Sequence, residues 1–112
     1  MDILEQAKGT YTILRVQGDF LCEDEKPALR ESIQRALTAG TKYIILDLSS
    51  VMHMNSCGLG SLVSCMTTMR KTGGDFVLLA PTENVSYLLS ITKLNQIFSI
   101  YPNLEKAIEN FQ

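Results

Sequence analysis

The sequence predicts a single α/β domain in which a mixed sheet of four to five strands is covered by about four helices. Two short apolar runs, residues 43–48 and 76–80, have the length of strands and the continuity typical of strands covered on both faces. Segments with helical spacing of apolar residues alternate with these runs, which indicates parallel strands joined by crossover helices. With 112 residues the chain can bury one such core and is too short for two.

The first elements are predicted to be a β-hairpin and a helix. Residues 3–6 and 10–17 flank the short glycine-containing link at residues 7–9, as two paired strands would. Pro27 suits the first turn of a helix, and Gly40 is a natural C-terminal cap. Between them runs an apolar stripe that consists of Leu29, Ile33, Ala36 and Leu37.

A strand and a long helix follow in the middle of the chain. The strand over residues 43–48 is followed by a polar break, after which apolar residues return at Leu59, Leu62, Val63, Met66 and Met69. This spacing predicts a one-sided helix from about Ser56 to Lys71, closed by Gly73-Gly74.

The C-terminal third continues the alternation of strands and helices. Residues 76–80 predict a strand beside the preceding one, and Thr82 can cap a short helix with inward-facing Val85, Leu88 and Leu89. Residues 97–101 predict a last short strand. Pro102 then starts a helix with apolar residues at Leu104, Ala107, Ile108 and Phe111.

Ser56 is the most informative polar residue, because it lies where a buried strand leads into a helix. The first N–H groups of a helix lack intrahelical partners and, with the helix dipole, stabilise a side-chain oxygen or a phosphate. Ser56 is therefore either a helix cap or an outward-facing acceptor hydroxyl. Gly58 and Gly60 lower helix propensity by about 1 kcal/mol each relative to alanine, and they suit the close approach of another backbone or a ligand.

Residues 55–60, NSCGLG, resemble the Asp-Ser-Ser/Thr-Gly-Leu-Gly signature of the STAS domain, in its bacterial anti-sigma factor antagonist branch. Residues 18–20 resemble the family's Gly-Glu-Leu, residues 46–51 one of its strands, and residues 73–78 its Gly-Gly-led fourth strand. These segments follow one another in the family's order and cover most of the chain. We expect one STAS domain over residues 1–112.

The resemblance implies a regulatory protein of transcription and not an enzyme. In the family, a kinase that is also an anti-sigma factor binds the unmodified antagonist, releases its sigma factor, and uses its own ATP to phosphorylate the serine after the motif's acidic residue. A phosphatase restores the free form. The implied phosphorylation site is Ser56, and the implied partner-binding residues are Asp19, Asn55, Ser56, Cys57, Gly58, Leu59 and Gly60. A bulky side chain at position 58 should then weaken partner binding more than stability.

Two positions depart from the family pattern. Asn55 stands where the family has Asp, so it can cap the helix but offers no anionic group to the kinase or to the acceptor hydroxyl. Leu21 stands where the family has an acidic residue, with Glu23 and Asp24 slightly further on. The main alternative is therefore a STAS-like interaction subunit of a transporter or signalling scaffold, which is never phosphorylated and uses the same turn as a constant docking face.

The residues needed for autonomous catalysis are missing from the sequence. Met54 occupies the position where a nucleophile elbow needs glycine, and the only histidine, His53, precedes Ser56. No phosphate-binding loop or dinucleotide fingerprint occurs. The three cysteines, Cys22, Cys57 and Cys65, are odd in number and lack CxxC spacing, which argues against a disulfide framework and a zinc site. Cys57 is either a reactive thiol at a helix start or a small residue replacing Ser or Thr.

Composition restricts the partners and the location. Apolar residues make up 46% and charged residues 20% of the chain, which is an ordinary globular composition. A net charge of −2 argues against nucleic acid as a direct partner. No apolar run is long enough to span a membrane, and no signal segment leads the chain. We therefore expect a cytoplasmic protein that is monomeric when free, needs no cofactor or metal, and does not insert into a membrane.

Overall fold

The structure is a computed structural model that describes residues 2–21 and 28–109. In these ranges the chain forms, in order, β1 (Asp2–Lys8), β2 (Tyr11–Gln17), α1 (Ala28–Thr38), β3 (Tyr43–Ser50), α2 (Ser56–Lys71), β4 (Asp75–Leu79), α3 (Glu83–Ile91), β5 (Ile100–Tyr101) and α4 (Leu104–Glu109). A single 3₁₀ turn, Leu94–Gln96, precedes β5. The predicted fold class, a single α/β domain with a mixed sheet of five strands and four helices, is confirmed.

The five strands follow one another across the sheet in the order β1-β2-β3-β4-β5. The pair β1–β2 is the predicted antiparallel hairpin, and all other neighbours are parallel. Because β2, β3 and β4 run in the same direction, their carboxyl ends meet at one edge of the sheet. The loops over residues 18–21, 51–55 and 80–82 therefore converge at this edge, where open parallel sheets commonly bind their partners.

Helices cover both faces of the sheet. The larger core cluster joins one face to α1, α2 and α3, and its fully buried members include Leu14, Leu46, Phe76, Ile33, Leu62 and Leu89. The smaller cluster joins Ile13, Ile45 and Val77 on the other face to Ala107 of α4. Over the described ranges no helix combines the length and the apolar character needed to cross a membrane.

Some boundaries differ from those predicted. The strand predicted over residues 97–101 is formed only by Ile100–Tyr101, because Ile97 and Phe98 both donate their N–H groups to the carbonyl of Leu94 and close a turn. Thr82 precedes α3 as predicted but makes no side-chain cap. The predicted features that involve Cys22, Glu23, Asp24, Pro27 and Phe111 lie outside the described residues.

Candidate functional site

Ser56 is the first residue of α2, and it is exposed to solvent. Both features were predicted from the sequence and are confirmed. Within the described part of the chain, the Ser56 hydroxyl makes no hydrogen bond. The side chain is thus held at the end of a rigid element with its oxygen available for chemistry.

Asn55 is the residue that caps α2. Its backbone is extended, with φ −107° and ψ −179°, and its Oδ1 accepts a hydrogen bond of 2.9 Å from the backbone N–H of Gly58. The carbonyl of Asn55 accepts the first helical hydrogen bond, from Leu59, at 3.0 Å. The sequence left open whether Ser56 is only a helix cap; Asn55 performs that role instead.

The cap gives a direct test of this local geometry. Asn55→Ala should lower the free energy of unfolding by about 1 kcal/mol, because the N–H of Gly58 loses its acceptor. Asn55→Asp keeps the acceptor and places a negative charge at the positive end of the helix dipole, so it should be neutral or stabilising by about 0.3–1 kcal/mol. Urea denaturation of the two variants measures both values. Equal stability of Asn55→Ala and the parent would contradict the assigned cap.

Gly58 is buried against the loop that follows β2. A Cβ placed on Gly58 would overlap the carbonyl oxygen of Phe20 and lie 2.7 Å from Cδ1 of the Phe20 ring and 3.0 Å from Cγ of Met54. A backbone does approach this glycine closely, as predicted, but it belongs to the chain itself. The expectation that a bulky side chain at position 58 acts mainly on partner binding is therefore wrong, since such a side chain cannot fit inside the domain.

Gly60 lies in a different environment, although it is only two residues away. It is exposed, and nothing lies within 4 Å of a Cβ built on it. Packing within the domain therefore gives no reason for glycine at this position. A surface glycine in the first turn of a helix is suited to close approach by a partner.

The loop after β2 is fixed to the loop that leads into α2. The N–H of Phe20 donates to the carbonyl of His53 at 2.8 Å, and Phe20 forms an isolated parallel bridge with Met54. Asp19, which is exposed, is thereby held at the same edge as Asn55. The sequence identified Asp19 but not Phe20, whose fully buried ring orients the loop.

Helix α3 fixes the same loop from the other side. The Thr82 hydroxyl donates to the carbonyl of Val51 at 2.6 Å, and Nδ2 of Asn84 donates to the carbonyl of Met52 at 3.1 Å. These two hydrogen bonds position the loop that carries the candidate site. The sequence predicted Thr82 only as a cap of α3 and did not indicate Asn84, because one hydroxyl and one amide form no recognisable pattern.

The residues that the family resemblance implied for partner binding divide into two groups. Asp19, Asn55, Ser56, Cys57 and Gly60 are exposed. Gly58 and Leu59 are buried, and Leu59 is only 5% exposed. We call the exposed group the α2-start surface.

The cysteines do not follow the pattern expected from their spacing. Cys57 is exposed and disulfide-bonded, whereas Cys65 is a thiol buried in the core with 6% exposure. The argument against a disulfide is therefore wrong for Cys57, since an odd number of cysteines does not by itself exclude a disulfide. Among residues 2–21 and 28–109, no three His, Cys, Asp or Glu side chains are grouped to hold a metal ion.

Comparisons with known sequences identify one family. The family model of the STAS domain matches residues 3–107. The chain is 38% identical over 76 residues to a Thermotoga neapolitana protein described as the homologue of a candidate anti-sigma factor antagonist, with 68% of this chain and 67% of that protein covered. It is 37% identical over 73 residues to a candidate anti-sigma factor antagonist of Thermotoga maritima, with 65% of each covered. The alignments thus span about two thirds of both relatives.

Comparisons with solved structures agree with this family assignment. The crystal structure of a candidate anti-sigma factor antagonist from Thermotoga maritima matches with a TM-score of 0.84 at 28% identity, covering 96% of this chain and 92% of that chain. The unphosphorylated form of the anti-sigma factor antagonist SpoIIAA matches with a TM-score of 0.76 at 19% identity, covering 98% and 96%, which is a likeness of fold. The chain therefore belongs to the STAS domain family, in its anti-sigma factor antagonist branch.

Proposed function

We propose that this protein binds an anti-sigma factor that is also a serine kinase, and that phosphorylation of Ser56 ends this binding. The observation that carries the proposal is the exposed Ser56 hydroxyl at the start of α2, which the helix does not need because Asn55 supplies the cap. A serine in this position can gain a phosphate without loss of a structural contact.

The α2-start surface suits a switch that acts through charge. A partner that fits the neutral hydroxyl of Ser56 meets about −1.5 to −2 added charge after phosphorylation, and an interface formed around the hydroxyl is then repelled. The helix N-terminus stabilises the same charge, so the domain stays folded. The open space around Gly60 lets the partner approach the helix backbone beside the serine.

The kinase and this protein contribute different groups to the phosphoryl transfer. The kinase brings ATP and carries out phosphoryl transfer, while this protein supplies the acceptor hydroxyl and has no catalytic activity of its own. A phosphatase returns Ser56 to the hydroxyl form. In this proposal the chain acts in the cytoplasm as one STAS domain that is monomeric when free, and it contacts the transcription machinery only through proteins.

One observation favours a second candidate function. Asn55 is neutral, and its Oδ1 is engaged by the N–H of Gly58, so the family's anionic group beside the acceptor serine is missing. A chain that is never phosphorylated does not need that group. The α2-start surface would then be a constant docking face of a STAS interaction subunit.

Intact-mass measurement after incubation with ATP and a candidate partner kinase separates the two functions. The parent protein should gain the mass of one phosphoryl group, mapped to Ser56, and Ser56→Ala should bind the kinase but gain none. Asn55→Asp should raise the rate of transfer without changing the modified residue, because it restores the acidic neighbour.

The positive control is an anti-sigma factor antagonist that the same kinase is known to phosphorylate. A kinase that modifies this control and binds the parent protein, but never places phosphate on Ser56, would overturn the proposal and support the constant docking face.

A further inference from the structure

The outer edge of β1 is a long, regular strand edge. β1 is the first strand in the sheet and pairs with β2 along its whole length, Asp2–Lys8, without a break in register. In the described part of the chain, the backbone of β1 forms hydrogen bonds only with β2. An antiparallel strand of this length presents an edge of about 24 Å. Unpaired backbone groups on such an edge readily pair with another chain.

The pairing with β2 shows which backbone groups face this edge. Lys8 and Tyr11 flank a two-residue turn, and residues in that position exchange both backbone hydrogen bonds. Bonded and non-bonded pairs then alternate along the hairpin, so the even-numbered residues of β1 bond to β2. The N–H and C=O groups of the odd-numbered residues point away from the sheet; these residues are Ile3, Glu5 and Ala7.

β1 carries few of the features that usually protect an edge strand. Proline, a bulge or a charge in the middle of the strand prevents pairing with another chain. β1 contains no proline and no bulge, and its charges Asp2 and Lys8 lie at its two ends. Glu5 is central, but Nη2 of Arg35 on α1 donates to its Oε1 at 3.0 Å and draws it over the α1 face of the sheet. The middle of the edge is therefore open to pairing.

A cavity lies beside this edge on the α1 face. It has a volume of about 210 Å³, and its walls include the small side chains of Ala7, Ala36 and Ala39. Thr12 and Thr41 also line it; they are 5% and 7% exposed, and their hydroxyls are hydrogen-bonded to each other at 2.9 Å. Because one hydroxyl donates and the other accepts, the pair keeps one hydrogen for a further acceptor. This cavity suits a small side chain that carries a hydroxyl group.

A second cavity lies beside the same edge on the opposite face. It has a volume of about 260 Å³ and is lined by Leu4, Gln6, Ile13 and Arg15. Leu4 is 52% exposed, and Nε of Arg15 is held by Oδ2 of Asp47 at 3.1 Å. The cavity therefore suits an apolar side chain. Sites for whole small molecules have volumes of about 300–1,000 Å³, so each of the two cavities is of a size for one side chain.

We propose that the free edge of β1 binds an extended segment of a partner protein, which adds a sixth strand to the sheet. Successive side chains of a strand point to opposite faces, so one segment reaches both cavities. Backbone hydrogen bonds supply the affinity, and the cavities select the side chains. β1 shares no residue with the α2-start surface, so this inference does not rest on the proposed function.

The edge and its cavities define the chemistry of the segment. It runs antiparallel to β1 and alternates small hydroxyl residues, which face α1, with apolar β-branched residues, which face the other side of the sheet. It carries a basic residue beside Asp2 and an acidic residue beside Lys8, because opposite charges directly across a strand pair are stabilising.

The test uses a synthetic peptide as the probe, acetyl-Glu-Thr-Val-Thr-Val-Thr-Lys-amide, in two forms with the same side chains. Methylation of both valine nitrogens removes only N–H groups that point away from β1, and it stops the peptide from pairing with itself. Methylation of the three threonine nitrogens removes the N–H groups that would bond to β1. The two forms therefore differ only in which edge of the peptide can donate hydrogen bonds.

Amide hydrogen exchange of the full chain, followed by NMR, reads out the binding. With about 4 mM of the valine-methylated probe, exchange at Ile3, Glu5 and Ala7 should slow at least fivefold, as expected for a Kd of about 1 mM or lower. The threonine-methylated probe should change nothing. Equal protection by both forms, or protection by neither, would overturn the inference. Protection of the same three amides that grows with protein concentration in the absence of probe would assign the edge to a second copy and overturn the proposed occupant.

A pair of variants tests the edge from the side of the protein. Glu5→Pro removes one N–H from the free edge and places a ring there, which edge strands tolerate because that N–H faces solvent. Glu5→Ala loses the same ion pair with Arg35 but keeps the N–H. Glu5→Pro should bind the valine-methylated probe at least tenfold more weakly than the parent, and Glu5→Ala within twofold. Equal binding by the two folded variants would contradict the proposal; if circular dichroism shows Glu5→Pro unfolded, the two probes on the parent decide it.

Discussion

Replacing Gly58 with alanine is expected to lower the free energy of unfolding by about 3 kcal/mol, at the upper end of the usual effect of overpacking. The new Cβ would collide with the carbonyl oxygen of Phe20 and with its ring. Neither the Phe20 backbone nor the Gly58 backbone can move easily to relieve this collision. The N–H of Phe20 is bonded to the carbonyl of His53, and the N–H of Gly58 is bonded to Asn55.

Gly60→Ala is the matched control, since it makes the same substitution two residues further along the same turn of helix. No atom lies within 4 Å of its new Cβ. It should raise stability by up to about 1 kcal/mol, because alanine is the better helix former. Urea denaturation of both variants measures the difference. If both substitutions change stability equally, the contact between Gly58 and Phe20 is not what requires a glycine at position 58.

Ser56→Asp is expected to weaken binding to the anti-sigma kinase at least tenfold, or about 1.4 kcal/mol. The substitution puts an anion where, in the proposed function, the partner fits a neutral hydroxyl. The fold should be retained, because the negative charge lies at the positive end of the α2 dipole and the Asn55 cap is untouched. Titration calorimetry with the kinase measures the affinity, and thermal denaturation checks the fold.

Ser64→Asp is the control for charge alone. Ser64 is exposed on the same helix, eight residues beyond Ser56, or about 12 Å along the axis. Binding of this variant should stay within about twofold of the parent, since a distant surface charge is screened by salt. If Ser56→Asp and Ser56→Ala both bind as the parent does, the phosphorylation switch fails and the constant docking face replaces it.

The elements with strong local patterns could be predicted from the sequence. The bounds of α2 follow from the apolar stripe between Ser56 and Lys71 and agree with the structure. At its end, Gly73 adopts a positive φ of 86°, and the N–H groups of Gly73 and Gly74 bond to the carbonyls of Arg70 and Met69, as expected for a glycine-closed helix. Such caps depend on residues that are neighbours in the sequence, so they can be predicted without knowledge of the tertiary structure.

The contacts that shape the site could not be predicted in the same way. Phe20 and Gly58 are far apart in the sequence and meet only because β2 and β3 end at one edge of the sheet. Thr82 precedes α3 as expected, but its hydroxyl donates to the carbonyl of Val51, which that same edge brings within reach. Cysteine spacing likewise concerns local motifs, and it did not indicate the disulfide at Cys57.

The hydrogen bond between Phe20 and His53 makes the α2-start surface a conformational epitope and not a linear motif. Asp19 and Ser56 belong to separate stretches of chain that adopt their relative positions only in the folded domain. A short peptide that contains Ser56 would present the acceptor hydroxyl without the surface around it. An enzyme that recognises this surface therefore reacts only with folded copies of the protein. Unfolded copies are not modified, even though they contain the same serine.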